Sequence, residues 1–430
     1  MLKFSRKLLR SPAASKGKFR YLSALSDLPI RQGGNVRLNL DGFSNCVVRI
    51  KSSWQDHVDL SCNEALLDVH LSEEDQTLTL SKNESSDMDI GEAVVVELTT
   101  PELINLYIYG LYSDIKIENK IEGDVMIQCE SGDINIDKVR GKNIAIKTTD
   151  ANITSRKLIE GADVLVKGGT INAKMINGDS VKILSESTID VGAMYTRSLT
   201  MISKKDVNIG LMNGNAYVTS SLGGVTMNNI DGWFDVSSQN VVNLQVNKLS
   251  RHPSSSSGCK VFSKGSVFAS VDPEMKASVD CYCLSTAGRA VVTIISDSFV
   301  TTEPAEGFSK LGPERTQGLL TGESKISKRP IFTKSNSSGK INLSGAEEQA
   351  ASGPNHENGQ PSIAISDSAN EEQFDLALHA HGHVRLETLS WIEIIKRKHG
   401  FSDNDSVSPP KSVGRSASSK VRAGEIGRTN

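Results

Sequence analysis

Between residues 105 and 250 apolar and polar positions alternate in short runs, and the runs recur with a step of about 18 residues. Each unit carries two alternating segments on either side of a polar corner: Val125/Ile127 then Ile134/Ile136, Ile144/Ile146 then Ile153, Val164/Val166 then Ile171/Ala173. The series continues through Val181/Ile183 with Ile189/Val191, Leu199/Met201 with Val207/Ile209, Ala216/Val218 with Val225/Met227, and Phe234/Val236 with Val242/Leu244. Alternation with a period of two means strands with one face turned inward. A third apolar column, Val139, Leu158, Ile176, Met194, Met212, Ile230 and Leu249, closes the units, and Gly123, Gly141, Gly161, Gly178, Gly214 and Gly232 open them.

Such a repeat predicts an all-β chain, a parallel β-solenoid with about 18 residues per turn. One coil buries too few side chains to offset the ordering of its own backbone, so coils must stack to be stable. Seven or eight coils over 105–250 at about 4.8 Å each predict a rod roughly 35 Å long.

Residues 30–104 alternate as well, through Val36/Leu38/Leu40, Val48/Ile50, Leu78/Leu80 and Val94/Val96/Leu98, but without the regular step, and read as an irregular N-terminal β cap. Solenoid ends expose unpaired backbone, and a cap blocks edge-to-edge association there. After a Ser-rich connector, 258–300 reads as further strands. The Gly-, Ser- and Glu-rich stretch 301–372 reads as a disordered insertion. Residues 374–400 then form a closing strand and a short C-terminal capping helix, started by Ser390 and ended by Gly400, that covers the far end of the stack. The polar tail 402–430 reads as disordered.

Charge changes this picture at one end. Residues 1–26 hold Lys3, Arg6, Lys7, Arg10, Lys16, Lys18 and Arg20, with Leu2, Phe4, Leu8 and Leu9 near helical spacing and no acid before Asp27. That composition reads as a mitochondrial transit peptide, with a basic tail on a cytoplasmic protein as the other reading. Setting these seven bases aside takes the formal net charge from −3 to about −10, which argues against a nucleic-acid partner. No apolar run approaches the roughly 20 residues of a transmembrane helix, so no transmembrane anchor is expected. The six cysteines are too sparse for a disulfide scaffold and read as buried thiols.

Candidate chemistry is thin. Outward positions of the second strand column, Asn135, Thr154, Asn172, Asp190, Asn208, Thr226 and Asn243, form a polar ladder. Such ladders hydrogen-bond to themselves along a stack, or they face a partner protein or a glycan. The outward line of the first column, Met126, Ala145, Leu165, Lys182, Thr200, Tyr217 and Asp235, is apolar at one end, where another segment or a partner is expected to cover it. An acidic-polysaccharide enzyme needs carboxylates clustered on one face. Asp133, Asp150, Asp190 and Asp206 instead fall on different coils, at ladder positions or at corners where turn chemistry explains them. The Gly168-Gly169 and Gly223-Gly224 pairs lack the regular Asp of calcium-binding repeats. His379, His381 and His383 alternate on one strand, as do Cys281 and Cys283, but neither spacing matches a zinc pattern. No phosphate loop, dinucleotide fingerprint or nucleophile elbow is present, and no cofactor, metal or catalytic residue is expected.

The units GDVMIQCESGDINIDKV and GNAYVTSSLGGVTMNNIDG resemble the putative-adhesin β-solenoid domain of many bacterial proteins. The layout of leader, cap, repeats and closing VRLETLSWIE resembles an animal branch of that family, and the likeness covers about residues 30–300 and 374–395. The resemblance implies a solenoid with no catalytic residues to carry over, since the family has no established activity. The expected function is therefore a non-enzymatic interaction or scaffold protein, with a degenerate carbohydrate-binding or carbohydrate-active β-helix as the alternative.

Overall fold

The computed structural model describes residues 23–62, 66–83, 94–252, 257–284, 291–296, 298–303, 314–321, 374–390, 393, 396 and 397. The chain divides into two compact units, Met1–Thr388 and Leu389–Asn430.

The first unit is a parallel β-solenoid. Strands wrap the bends of the coil: Ile134–Lys147 supplies the second side of one coil and the first side of the next. Paired residues run down the inside in one line: Leu80, Leu38, Ile108, Ile127, Ile146, Val166, Ile183, Met201, Val218, Val236, Val261, Leu378 and Cys281. All are 1% exposed or less. Counting down this line gives thirteen rungs, and twelve steps of about 4.8 Å make a stack roughly 58 Å long. A second line runs in parallel from Val96 through Ile134 and Val225 to Val292.

The third column holds with two corrections. Val139 pairs with Ile159 rather than Leu158, and Leu158 is half-buried. The coil between Ile153 and Ile159 contains one extra residue, seen as a register shift after Ser155, and one residue of slip turns Leu158 out and Ile159 in. The line continues through Ile176, Met194, Met212 and Ile230 and then meets Val246. Leu249 sits beside Gly232 instead, still buried.

Both ends depart from sequential order. At the leading end, Asn35–Leu40 and Cys46–Ser53 form a rung that pairs on one edge with Asn105–Glu122 and on the other with Thr77–Lys82 and Val94–Pro101. The earlier segment therefore lies inside and the later one outside. Antiparallel strands Leu67–Ser72, Val58–Cys62 and Ser23–Leu28 complete the irregular cap. At the far end, Cys259–Ser263 and Val267–Val271 pair with Phe374–Ala380 and His383–Thr388, which pair in turn with Lys276–Cys283 and Val291–Ile295. The last strands in sequence are thus second from the end in space.

Two sequence expectations change. Within 301–372, residues Glu314–Thr321 form a strand antiparallel to Lys276–Cys283, because the alternating Thr316, Gly318 and Leu320 meet its edge. Ser23–Leu28 pairs with Val58–Cys62, so the end of the 1–26 leader belongs to the fold. Residues 1–22, 322–373 and 398–430 lie outside the described residues. In the second unit Ser390 and Glu393 form a reciprocal capping box: the Ser390 amide donates to Glu393 Oε2 (2.8 Å) and the Glu393 amide to Ser390 Oγ (3.3 Å).

The bends are fixed by two stacked motifs. Gly141, Gly161 and Gly178 stack, then Thr196, Gly214 and Gly232. A Cβ on Gly214 would stand 1.6 Å from the Thr196 carbonyl oxygen, and its φ is +124°. The opposite corner carries a buried serine ladder, Ser185, Ser203, Ser220, Ser238 and Ser263. Ser203 Oγ donates to the Ser187 carbonyl (2.6 Å), Ser220 Oγ to Lys205 (2.7 Å) and Ser238 Oγ to Gly223 (2.8 Å). Each hydroxyl also accepts an amide from its own corner, such as Lys205 N onto Ser203 Oγ at 3.2 Å.

Candidate functional site

The sheet face carrying the polar ladder is built by the second side of each coil. Inward Ile134, Ile153, Ile171, Ile189, Val207, Val225 and Val242 fix the pleat, and the residue after each one points outward. Asn135, Thr154, Asn172, Asp190, Asn208, Thr226 and Asn243 pair in unbroken register, so all seven lie in one line. All are exposed or half-buried.

Self-bonding along the ladder does not occur. Among the described residues none of the seven side chains makes a hydrogen bond or ion pair. The order explains it: no two asparagines are neighbours, so the amide-to-amide stacking of identical side chains has nothing to propagate through. The polar edge beside the ladder is tied down, with Asn152 Nδ2 donating to Asp133 Oδ1 (3.1 Å) and the Gly224 amide to Asp206 Oδ1 (2.8 Å). On the other edge Gly192 and Gly210 stack, where a Cβ would meet the carbonyl below at 2.7 and 2.5 Å. The result is a face of seven aligned polar side chains with unspent hydrogen-bonding capacity. Beyond Asn243 the line passes to Phe268 and Arg385, and beyond Asn135 to Lys116 and Arg49.

The opposite face aligns Met126, Ala145, Leu165, Lys182, Thr200, Tyr217 and Asp235 in register. Its apolar end stays half-buried, with Tyr109 Oη donating to Met126 Sδ at 3.3 Å. The connector after Leu249 reaches the other end: His252 packs edge-on against Trp233 (4.5 Å between centroids), and Trp233 Nε1 donates to the Ser257 and Gly258 carbonyls at 3.1 Å. Burial there pushes the Asp235 carboxyl above its ordinary range, with Lys260 pulling the other way. At the corner a cleft of about 530 Å³ is lined by Asp41, Tyr109, Gln128, Glu130, Lys147 and Lys167 among others, a mixed-charge wall the sequence did not single out.

Asp133, Asp150, Asp190 and Asp206 lie on different coils. Burial would raise Asp124, but its bonds from Asn143 and the Lys142 amide hold it below the ordinary range, as a turn cap. The three histidines do not share one strand, since His379 lies in Phe374–Ala380, His381 in the bend and His383 in His383–Thr388, and among the described residues they do not gather with Cys281 and Cys283. Cys281 and Cys283 point inward and are fully buried, whereas His379 stacks on Tyr282 (5.5 Å) and His381 on Phe262 (5.7 Å) on the outside. None of the six cysteines forms a disulfide, and all are buried. Burial pushes Cys259 and Cys281 up to about 12 and Cys46 to about 11, so none of these three is a thiolate at neutral pH. The His57 imidazole lies 3.4 Å from Asp27 and 3.7 Å from Asp59 on the leading cap, a grouping that no spacing in the sequence signals. No helix among the described residues is long and apolar enough to cross a membrane.

No known family profile and no curated protein matches the chain. Solved structures to which it is similar include a putative adhesin from Bacteroides fragilis, at 16% identity and a TM-score of 0.27, covering 59% of this chain and 98% of that one. A putative adhesin from Parabacteroides distasonis is similar at 14% identity and a TM-score of 0.29, covering 58% and 92%. A third, from Parabacteroides merdae, stands at 12% identity and a TM-score of 0.27, covering 58% and 92%.

Proposed function

We propose that the chain is a non-catalytic interaction or scaffold protein that binds a partner protein through the polar ladder face. The observation that carries this reading is the seven-residue line from Asn135 to Asn243, held in register by its rungs and, among the described residues, without intramolecular side-chain partners. Polar groups that fold to no internal purpose are hydrogen-bonding capacity available to something else. The layout also resembles the animal protein "family with sequence similarity 185 member A", and the basic leader supports placement in the mitochondrion.

The test is proximity labelling in intact cells with the leader retained, comparing the native chain with a triple variant, Asn172→Arg, Asn208→Arg and Asn243→Arg. A set of labelled proteins lost in the variant, at unchanged melting temperature, is the expected result. Identical labelling by both chains overturns the ladder reading. Release of products from an acidic polysaccharide, or retention on a glycan array that the triple variant loses, instead selects the carbohydrate alternative.

A further inference from the structure

The closing segment 374–388 is not the end of the stack but a filling within it. Phe374–Ala380 and His383–Thr388 are paired on both edges, against Cys259–Ser263 and Val267–Val271 on one side and Lys276–Cys283 and Val291–Ile295 on the other. Leu376, Leu378, Ala380, Val384 and Leu386 fill the inside at 1% exposure or less. The bend between the two strands is gripped as well: the Gly382 amide donates to the Gly265 carbonyl (2.7 Å), the His383 amide to Ser266 Oγ (3.1 Å) and Cys283 Sγ to the Gly382 carbonyl (2.7 Å).

The connection to this segment is longer than its task. Thr321 pairs with Lys276 on one edge of the Lys276–Cys283 strand, and Phe374 pairs with Ala277 on the other. The two ends are thus two strand spacings apart, roughly 10 Å. Three or four extended residues reach that far. The sequence supplies 52, residues 322–373.

The geometry points to the gap between rungs 259–271 and 276–295 as a docking slot for a strand pair, filled in one copy by its own 374–388 and open to the same segment of a second copy. Both edges of the segment are paired by strands of 259–295, so an identical segment arriving from another chain makes the same backbone pairs. A tether of 52 residues sets a local concentration on the order of millimolar. Single copies in micromolar solution therefore close on themselves, and exchange becomes dominant when copies are crowded together or when the connection is cut.

The experiment uses the full chain with a site-specific protease sequence in place of residues 346–352, cut after folding. The two pieces are expected to co-elute as one species. When two cut proteins, one isotopically heavy, are mixed in urea and refolded together, the heavy C-terminal piece is expected on light partners at the mixing ratio. The uncut chain is expected to form dimers on the order of a hundredth at ten micromolar, rising to about half near a millimolar. Leu378→Asp in the cut protein releases the piece, while the outward His379→Asp retains it. Separation of the unsubstituted pieces under native conditions, failure to exchange on refolding, or retention of the piece by Leu378→Asp would each overturn the assignment.

Discussion

The middle of the stack and its two ends obey the same inward pattern but connect it differently. From Val125 to Leu249 each rung pairs with the next in sequence, so neighbours in space are about 18 residues apart. At the ends the neighbours are distant: Leu38 pairs with Leu80 and Ile108, and Leu378 with Val261 and Cys281. Both kinds of rung bury their columns equally well, with Leu38 and Ile183 both at 0% exposure. A solenoid rung is therefore defined by its side-chain parity and corner geometry, not by the order in which the chain visits it. Only the cost of bringing the segments together differs.

The largest effect that sharpens this contrast comes from cavities. Phe234→Ala in the middle should cost about 3–5 kcal/mol in urea unfolding. Leu378→Ala at the end should cost less in the main transition, because the end can open locally before the middle unfolds. Equal costs would show one indivisible cooperative block and erase the distinction. Next, Gly214→Ala forces a Cβ against the Thr196 carbonyl at positive φ and should cost about 1–3 kcal/mol. Gly161→Ala meets the Ile144 side chain at 3.0 Å, the Gly141 carbonyl at 3.1 Å and the Val164 side chain at 3.3 Å, without a positive φ, so its melting shift should be smaller. Ser203→Ala removes the hydroxyl bond to the Ser187 carbonyl, while the Lys205 amide keeps its own 2.8 Å bond to that carbonyl, and should cost about 1 kcal/mol or less by the same urea assay.

The smallest effect is electrostatic and confined to the far end. Burial raises the Asp280 carboxyl, but two hydrogen bonds from Arg315, at 3.0 and 2.8 Å, more than offset this and leave it below its ordinary range. A depressed carboxylate stabilises the fold above its unfolded pKa, about 3.9, and that contribution is lost as pH falls through the lower folded value. Protection of the Glu314–Thr321 amides, relative to their intrinsic exchange at each pH, should fall over that window by less than tenfold, since the pair is partly solvated, with no matching change around Asn172. Arg315→Ala should abolish the pH dependence.

The central fold was legible because period-two alternation inside an 18-residue step leaves one arrangement that buries every column. Leu158 was misplaced because a fixed step cannot see a one-residue bulge; Ile159 is equally apolar and adjacent. The rungs at 35–53 and 374–388 gave alternation without periodicity, since their partners lie across loops of different lengths. The serine ladder was hidden for another reason: serine at a corner is what any polar turn supplies, and only stacking shows that Ser185 through Ser263 share one buried line. For the polar face, the 18-residue step was enough to align the seven residues in one line, but not to show their lack of internal bonds, which depends on rotamers.

Both end arrangements place a strand pair near a chain terminus one rung deep. Tension applied near residues 35 and 388 would load strands bonded along two edges, so each must shear two seams together, where an ordinary outermost strand peels along one. Because forced unfolding follows the barrier and not the equilibrium stability, such a stack should hold against pulling longer than its melting temperature suggests.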